Sequence, residues 1–378
     1  MTRPASVSPR VRRARRRDRR VYTRAHPLLF ALLAAVRGRA VVRLGRAVVV
    51  HDGAAYREAL TRVPLDRTAA GTTGGAVRRL SSGGGLFDQE GAGHRATRRS
   101  IAQGLGADGV DRLRPVWRAV LERRLAPLRD GRPVELVALA RELSGATVGA
   151  LLDIPAAPEA VAGAAARAAA LAVRDHLPGP RRPGTSRAAA EATARLEALL
   201  SPGDSDAGVR SALAVATVNT TVAALPRAVA WCADAGLWDQ AADEELRPVL
   251  VGELLRVTAA SPLLPRVAAE DAVLAGRPVR AGDRLLLVAR HAVRAHRDAP
   301  DARDPAPAAV ARLVFGAGPH SCPGARLAHA QLDDLLAALA PYRPVVVRSR
   351  VDRGAALPGW RSLTVRAGAV PPHAEAPR

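Results

Sequence analysis

Along most of the chain apolar residues recur every three or four positions, the spacing that gathers them on one face of an α-helix. Leu332, Leu335, Leu336 and Leu339 are one such set, closed by Pro341. Residues 116–152 read as two or three helices, broken at Asp130-Gly131 and ended by Asp153-Ile154-Pro155, and the alanine-rich stretches 156–173 and 187–200 read as two more, joined by a stiff Pro/Gly connector over 177–184. Residues 211–231 predict a long, largely apolar helix that Pro226 should kink. Strand signals are short. Residues 40–43 and 47–50 flank Leu44-Gly45-Arg46 as a hairpin, and Asp52 is placed to cap a helix through Leu60. Turns at Ala275-Gly276 and Ala281-Gly282 separate further short strands, and residues 345–347 and 363–365 should form a terminal hairpin. The pattern is that of a mainly helical domain with small β-sheets.

Composition changes this picture mainly at the N-terminus. The chain has 378 residues and a formal charge of +22, which on its own would suggest nucleic acid or a membrane surface. Every one of the 57 basic residues is arginine, in a chain rich in Ala, Gly, Val and Pro, which reads as biased codon usage, and aromatic residues are only 3%, too few for base-stacking platforms. A small acidic electron-transfer protein is the partner that the charge favours. Residues 1–25 include the run VRRARRRDRR and are expected to form a basic, disordered arm. The folded domain is expected over 26–369, with residues 27–36 as its first helix, and a flexible tail over 370–378. No small-residue cleavage pattern follows residues 27–36, and no apolar run reaches the roughly 18–20 residues of a membrane span. Two cysteines make neither a disulfide framework nor a zinc site, which suits a reducing cytoplasm.

The chemistry concentrates in residues 315–324, where three glycines and two prolines force a tight loop around Cys322. The loop empties into the helix of Leu332–Leu339, so the thiol should stand near a helix N-terminus, where backbone N–H groups lower a thiol pKa. On spacing alone Cys322 is either a metal ligand or a small buried apolar residue. Phe315, Gly318, His320, Cys322 and Gly324, continued by Leu327 and Ala328, resemble the haem-binding loop of the cytochrome P450 family, Phe-x-x-Gly-x-His-x-Cys-x-Gly. The resemblance implies the cytochrome P450 fold and haem b (iron protoporphyrin IX) as cofactor. It makes Cys322 the axial thiolate, packs Phe315 beside the sulfur, and has Gly324 let the backbone approach it. A thiolate ligand pushes electron density onto iron and favours O–O cleavage.

Three further patterns gain meaning from the same resemblance. His94 and Arg98 stand four apart on one helical face, which alone is a basic face in a basic chain; the resemblance makes them, with Arg266 and His320, donors to the haem propionates. Glu253 and Arg256, three apart, read as an ordinary surface pair; the resemblance makes them a buried structural lock, completed by a second arginine for which Arg303 and Arg312 are poor candidates. Residues 216–221 (ATVNTT) lie where the family carries Ala-Gly-x-Asp/Glu-Thr-Thr. Thr220 keeps the alcohol, Asn219 replaces the acid and Thr217 the glycine. Hydroxyls here could bond preceding carbonyls and open a niche for oxygen; the alternative is polar side chains satisfied within a buried helix. An amide cannot relay protons as a carboxylate does. Residues 65–93 read as a loop, which the resemblance places over the substrate pocket, under a lid formed by helices of 156–200. Cys232 reads as inert packing.

The function implied is a monooxygenase-type oxidoreductase of cytoplasmic location. The resemblance implies oxidation of a small organic molecule, in a role such as secondary metabolism, with electrons from an external ferredoxin-type donor and no nucleic acid. A second reading is a haem-binding accessory protein that has lost turnover, motivated by Asn219 and the short lid. A third, nucleic-acid binding by the basic arm, rests on charge alone.

Overall fold

The structure, a computed structural model, describes residues 8–72, 74–75, 89, 91–176, 185–200 and 207–368. The expected connector over 177–184, the tail over 370–378 and most of the 65–93 loop lie outside them.

The basic N-terminal segment is expected to be a disordered arm over residues 1–25; residues 1–7 lie outside the described ones, and residues 8–25 correct that expectation. Residues 9–25 form α1 (Pro9–Ala25), opened by Ser8, whose side chain accepts the Val11 N–H, and carrying proline in its first turn. High charge did not forbid burial, because a helical period runs beneath it: Ala14, Asp18, Val21 and Tyr22 turn inward. α2 (Pro27–Val36) is therefore the second helix of the fold; it packs Leu33 against Val49 and Val288.

The hairpin follows as expected, with β1 (Val41–Leu44) antiparallel to β2 (Ala47–Val50), and the Asp52 carboxylate accepts the N–H groups of Ala54 and Ala55 at the start of α3 (Gly53–Thr61). After α4 (Gly91–Leu105), α5 (Ala107–Leu125) and the short strand β3 (Val134–Glu135) comes α6 (Leu136–Leu152), ended by Asp153 at φ 50°. α7 (Pro158–His176) and α8 (Thr185–Leu200) pack on each other and on α9 (Ala207–Ala235), which continues through Pro226 as one helix. By length and hydropathy α9 could cross a membrane; it packs instead against α1, α6 and α7, with Trp231 and Cys232 buried. Burial pushes the Cys232 thiol pKa up, consistent with a packing role.

α10 (Trp238–Ala242) and α11 (Leu246–Thr258) lead to the short strands β4 (Leu264–Val267), β5 (Ala272–Leu274), β6 (Arg277–Val279) and β7 (Arg284–Leu287). The main sheet has the order β1-β2-β7-β4, with β2 and β7 parallel, and β5-β6 is a separate hairpin. The short helices α12 (Ala289–Ala292) and α13 (Ala308–Ala311) precede the cysteine loop, and α14 (Ala325–Leu339) follows it. β8 (Val345–Asp352) and β9 (Gly359–Arg366) close the chain as a hairpin whose β9 also pairs with β3.

Glu253 and Arg256 are not a surface pair. Both side chains are buried on α11, with Arg256 Nε 2.8 Å and Nη2 2.5 Å from the two carboxylate oxygens. Neither Arg303 nor Arg312 completes the lock among the described residues. The remaining Arg256 donors go to the carbonyls of Val293 (3.1 Å), Asp298 (3.4 Å) and Ala299 (3.3 Å), and the Ala306 N–H donates to Glu253 at 3.2 Å. Backbone carbonyls of the segment before the cysteine loop thus satisfy the spare donors of Arg256, and the Ala306 N–H gives Glu253 the further donor that a second arginine was expected to supply.

Candidate active site

The cysteine loop is held at both ends. The Cys322 N–H donates to the Phe315 carbonyl at 2.7 Å, closing the turn, and Gly316 and Gly318 take φ of 78° and 72°. A Cβ on Gly318 would stand 3.2 Å from the Leu60 carbonyl oxygen, so the loop lies directly against the end of α3. α14 begins at Ala325 with Gly324 as its cap, three residues beyond the thiol. A second correction concerns the thiol itself. The thiol pKa is raised, not lowered, because burial among protein atoms outweighs the Gly324 N–H and the charge of Arg98. Cys322 nevertheless keeps a solvent-exposed surface. A Cβ on Gly324 would come within 3.9 Å of Sγ, and the Phe315 ring lies 5.5 Å from that of His329.

A cationic cluster surrounds this loop. Buried His94 on α4 stacks on His320 with centroids 3.8 Å apart. One turn later, Arg98 donates to the Ser321 carbonyl at 2.7 Å and to Ser321 Oγ at 3.2 Å. Both members of the four-residue pair therefore meet the loop, Arg98 by gripping its backbone. Arg266 on β4 is enclosed: one Nη donates to the adjacent Pro265 carbonyl at 2.8 Å, and its buried Nε has no partner. Burial, with the charge of Arg67, pushes the Arg266 pKa down to about 10. Burial, Arg67, His94, Arg266 and Arg98 together hold His320 down at about 3. Among the described residues no carboxylate is bonded to Arg98 or Arg266.

Arg67, Ser321 and Tyr56 escaped the sequence reading. Arg67 is one arginine among many in a stretch without periodicity, and nothing marked it. Tyr56 on α3 is buried with its hydroxyl unpartnered, and burial raises its pKa against the pull of Arg266.

On α9 the polar side chains satisfy their own helix. Thr220 Oγ1 donates to the Ala216 carbonyl and Asn219 Nδ2 to that of Val215, each at 2.8 Å, and the Asn219 amide also reaches the Ala165 carbonyl on α7 at 3.5 Å. Thr217 is half-buried on the same helix. Asn219 faces α7 and borders a cavity of about 300 Å³ between α6, α7, α9 and the turn joining β8 to β9, shared with Arg141, Arg167, Asp352 and Trp360. Neither Thr220 nor Cys322 lines it. The structure therefore gathers His94, Arg98, Arg266, His320, Cys322 and Gly324 around one loop, and turns Asn219 to α7 and to a cavity that Cys322 does not line.

These side chains suit a planar, metal-bearing anion. Cys322 offers an exposed soft ligand, Gly324 leaves room beside it, and Arg266 presents an unused buried Nε donor that a carboxylate would satisfy.

No family model matches the chain. A 20-oxo-5-O-mycaminosyltylactone 23-monooxygenase of Streptomyces fradiae is 37% identical over 103 residues, which is 27% of this chain and 24% of that protein. The chain thus matches about a quarter of the length of this curated relative. A mutant of P450 EryK in complex with erythromycin B has a TM-score of 0.74 at 22% identity, covering 92% of this chain and 98% of its own. The mycinamicin VIII C21 methyl hydroxylase MycCI of Micromonospora griseorubida, bound to mycinamicin VIII, has a TM-score of 0.67 at 22% identity, over 88% and 95% of the two chains. Near-complete coverage in both directions, with the cysteine loop in place between α13 and α14, establishes that this chain has the cytochrome P450 fold.

Proposed function

We propose that the protein is a haem-thiolate monooxygenase that oxidises a small organic molecule of secondary metabolism, fed with electrons by a separate ferredoxin-type protein. The observation that carries this is the pairing of one accessible thiol, Cys322, with a half-buried arginine, Arg266, whose buried Nε is unpartnered and which meets no carboxylate among the described residues. Cys322 would ligate haem iron, while Arg266, His94 and His320 would hold the propionates. A thiolate-bound haem supplies the capacity to activate O2 and insert oxygen into unreactive bonds. The chain's own residues set the stage for it. Arg98 fixes the loop through Ser321, so that Sγ stays in register with the end of α3. His320, stacked on His94, would offer a propionate a ring N–H hydrogen bond. Thr220 holds its hydroxyl on the Ala216 carbonyl, where it can exchange that acceptor for a substrate or water oxygen at little cost. The substrate class is supported by what the resembling proteins carry or act on, erythromycin B, mycinamicin VIII and a mycaminosyltylactone.

One observation favours the second reading, an accessory haem protein without turnover. The Asn219 amide is committed to carbonyls of its own helix and of α7, and so moves no proton. Purified protein supplied with NADPH, a ferredoxin and its reductase separates the two. Substrate-dependent NADPH consumption with oxidised product supports the monooxygenase; haem reduction without product from a panel of such compounds supports the accessory role.

A further inference from the structure

The N-terminal helices present a surface that the oxidative site does not use. Between residues 8 and 50 the only acid is Asp18, and it is buried, bonded to Arg227 and Arg290. The arginines are not similarly consumed. Arg16, Arg19, Arg20 and Arg24 are exposed on α1, on the side away from Ala14, Val21 and Tyr22, and recur at three- to four-residue spacing. Arg37 and Arg39 stand exposed just past the other end of α2. None of these six is paired with a carboxylate among the described residues.

Between these two arginine groups lies α2, ten residues without a charge, PLLFALLAAV. Only Leu33 is fully buried. Leu28 is 86% exposed and Leu32 51%, and Ala31 and Ala35 are exposed beside them. Positions 28, 31, 32 and 35 share one helical face. An apolar helix face held outward and bracketed by cations at both ends suits one environment better than water, the boundary between anionic headgroups and acyl chains.

We infer that α1 and α2 form a peripheral docking element for an anionic phospholipid surface, with Leu28 and Leu32 entering the acyl boundary and the flanking arginines meeting headgroup phosphates. An acidic protein could pair with the arginines, but it would leave the outward leucines without a reason. α1 is fixed to the core by Asp18 and by the pairing of Arg17 with Asp234, so the element is rigid and brings the whole domain to the surface. Because its cations are all arginine, docking should persist at pH 9 to 10, where lysines begin to lose charge.

The test is co-sedimentation of the full-length protein with vesicles of phosphatidylcholine alone or mixed with phosphatidylglycerol. Binding to the mixed vesicles only, weakened about tenfold or more by 0.5 M salt and by the double substitution Leu28→Ser/Leu32→Ser, is the expected result. Both leucines are exposed, so the variant keeps its fold, which an unchanged melting curve would verify. Three results overturn the inference: no sedimentation with anionic vesicles, undiminished binding by the Leu28→Ser/Leu32→Ser variant, or capture by an immobilised acidic protein in place of vesicles. None of these depends on haem or on turnover, so a failure here leaves the oxidative reading untouched.

Discussion

Two arginines, Arg227, fully buried, and Arg266, half-buried with an enclosed Nε, live under opposite rules. Arg227, on α9, is 1% exposed. Burial alone would lower its pKa, but Asp18 and Tyr22 reverse the sign and raise it. Its Nε and Nη2 both donate to one Asp18 oxygen, at 2.9 and 2.7 Å, while Arg290 takes the other at 3.0 Å. Arg266, on β4, donates to a neighbouring carbonyl and lies near Arg67 and Tyr56, and burial, with the charge of Arg67, brings its pKa down to about 10. A protein can retain an unbalanced buried cation only at a cost in stability. The first arginine is therefore architecture, and in the proposed reading the second would meet an anion supplied from outside the chain.

The contrast is broken most forcefully at Asp18. Replacing it with alanine leaves Arg227 and Arg290 without their shared carboxylate inside the fold, and should cost about 3–5 kcal/mol in urea unfolding. The double change Asp18→Leu/Arg227→Met should recover most of the loss. A cost below about 1 kcal/mol would show that the pair does not hold α1 to α9.

Arg266→Met should do the reverse. Removing an unpaired buried cation leaves the haem-free protein as stable or more so, whereas haem affinity, titrated through its visible absorption, falls about 10- to 100-fold as one charged hydrogen bond is lost. A destabilised protein with undiminished haem affinity would put Arg266 in the same class as Arg227.

A third prediction concerns the histidines outside the site. His51 and His291 share a 2.8 Å contact between their Nδ1 atoms, and the His291 and His296 rings are 4.8 Å apart. Burial holds His291 at about 3, aided by His296, His51, Arg290 and Arg37, and holds His296 at about 4, aided by Arg37, Arg290 and Arg297. The folded values lie below the unfolded value near 6.5, so the unfolded chain takes up protons that the folded chain refuses. This stability is fully present above pH 6.5 and is lost as pH falls towards 4. A melting temperature that declines over that window, less steeply in His296→Asn, is the expected result; a flat profile contradicts it.

Much of this was legible in the sequence because it rests on local rules. The hairpin at 41–50, the Asp52 cap, the glycine-rich cysteine loop and the helix after it depend on residues a few positions apart. What was not legible depends on partners far away. Nothing near residue 18 says that its carboxylate meets Arg227, so a charged helix read as a disordered arm. Arg67 and Ser321 join the site only through the packing of loops separated by hundreds of residues. The thiol pKa likewise depends on how deeply the loop is embedded, which spacing at a helix start does not report.

The smallest expected effect is at Thr220. Thr220→Val removes one hydroxyl bonded to its own helix, so unfolding should change by no more than about 1 kcal/mol, while product formed per NADPH consumed should drop. A large stability loss would make the hydroxyl architectural, as Asp18 is.

The most direct test of the central claim is the carbon monoxide difference spectrum of the reduced, haem-supplied protein, wild type beside Cys322→Ser. A Soret band at the position of thiolate-ligated haem in the wild type, absent from the variant, is the result expected. An identical spectrum from both proteins, or no bound haem in the wild type, would contradict it.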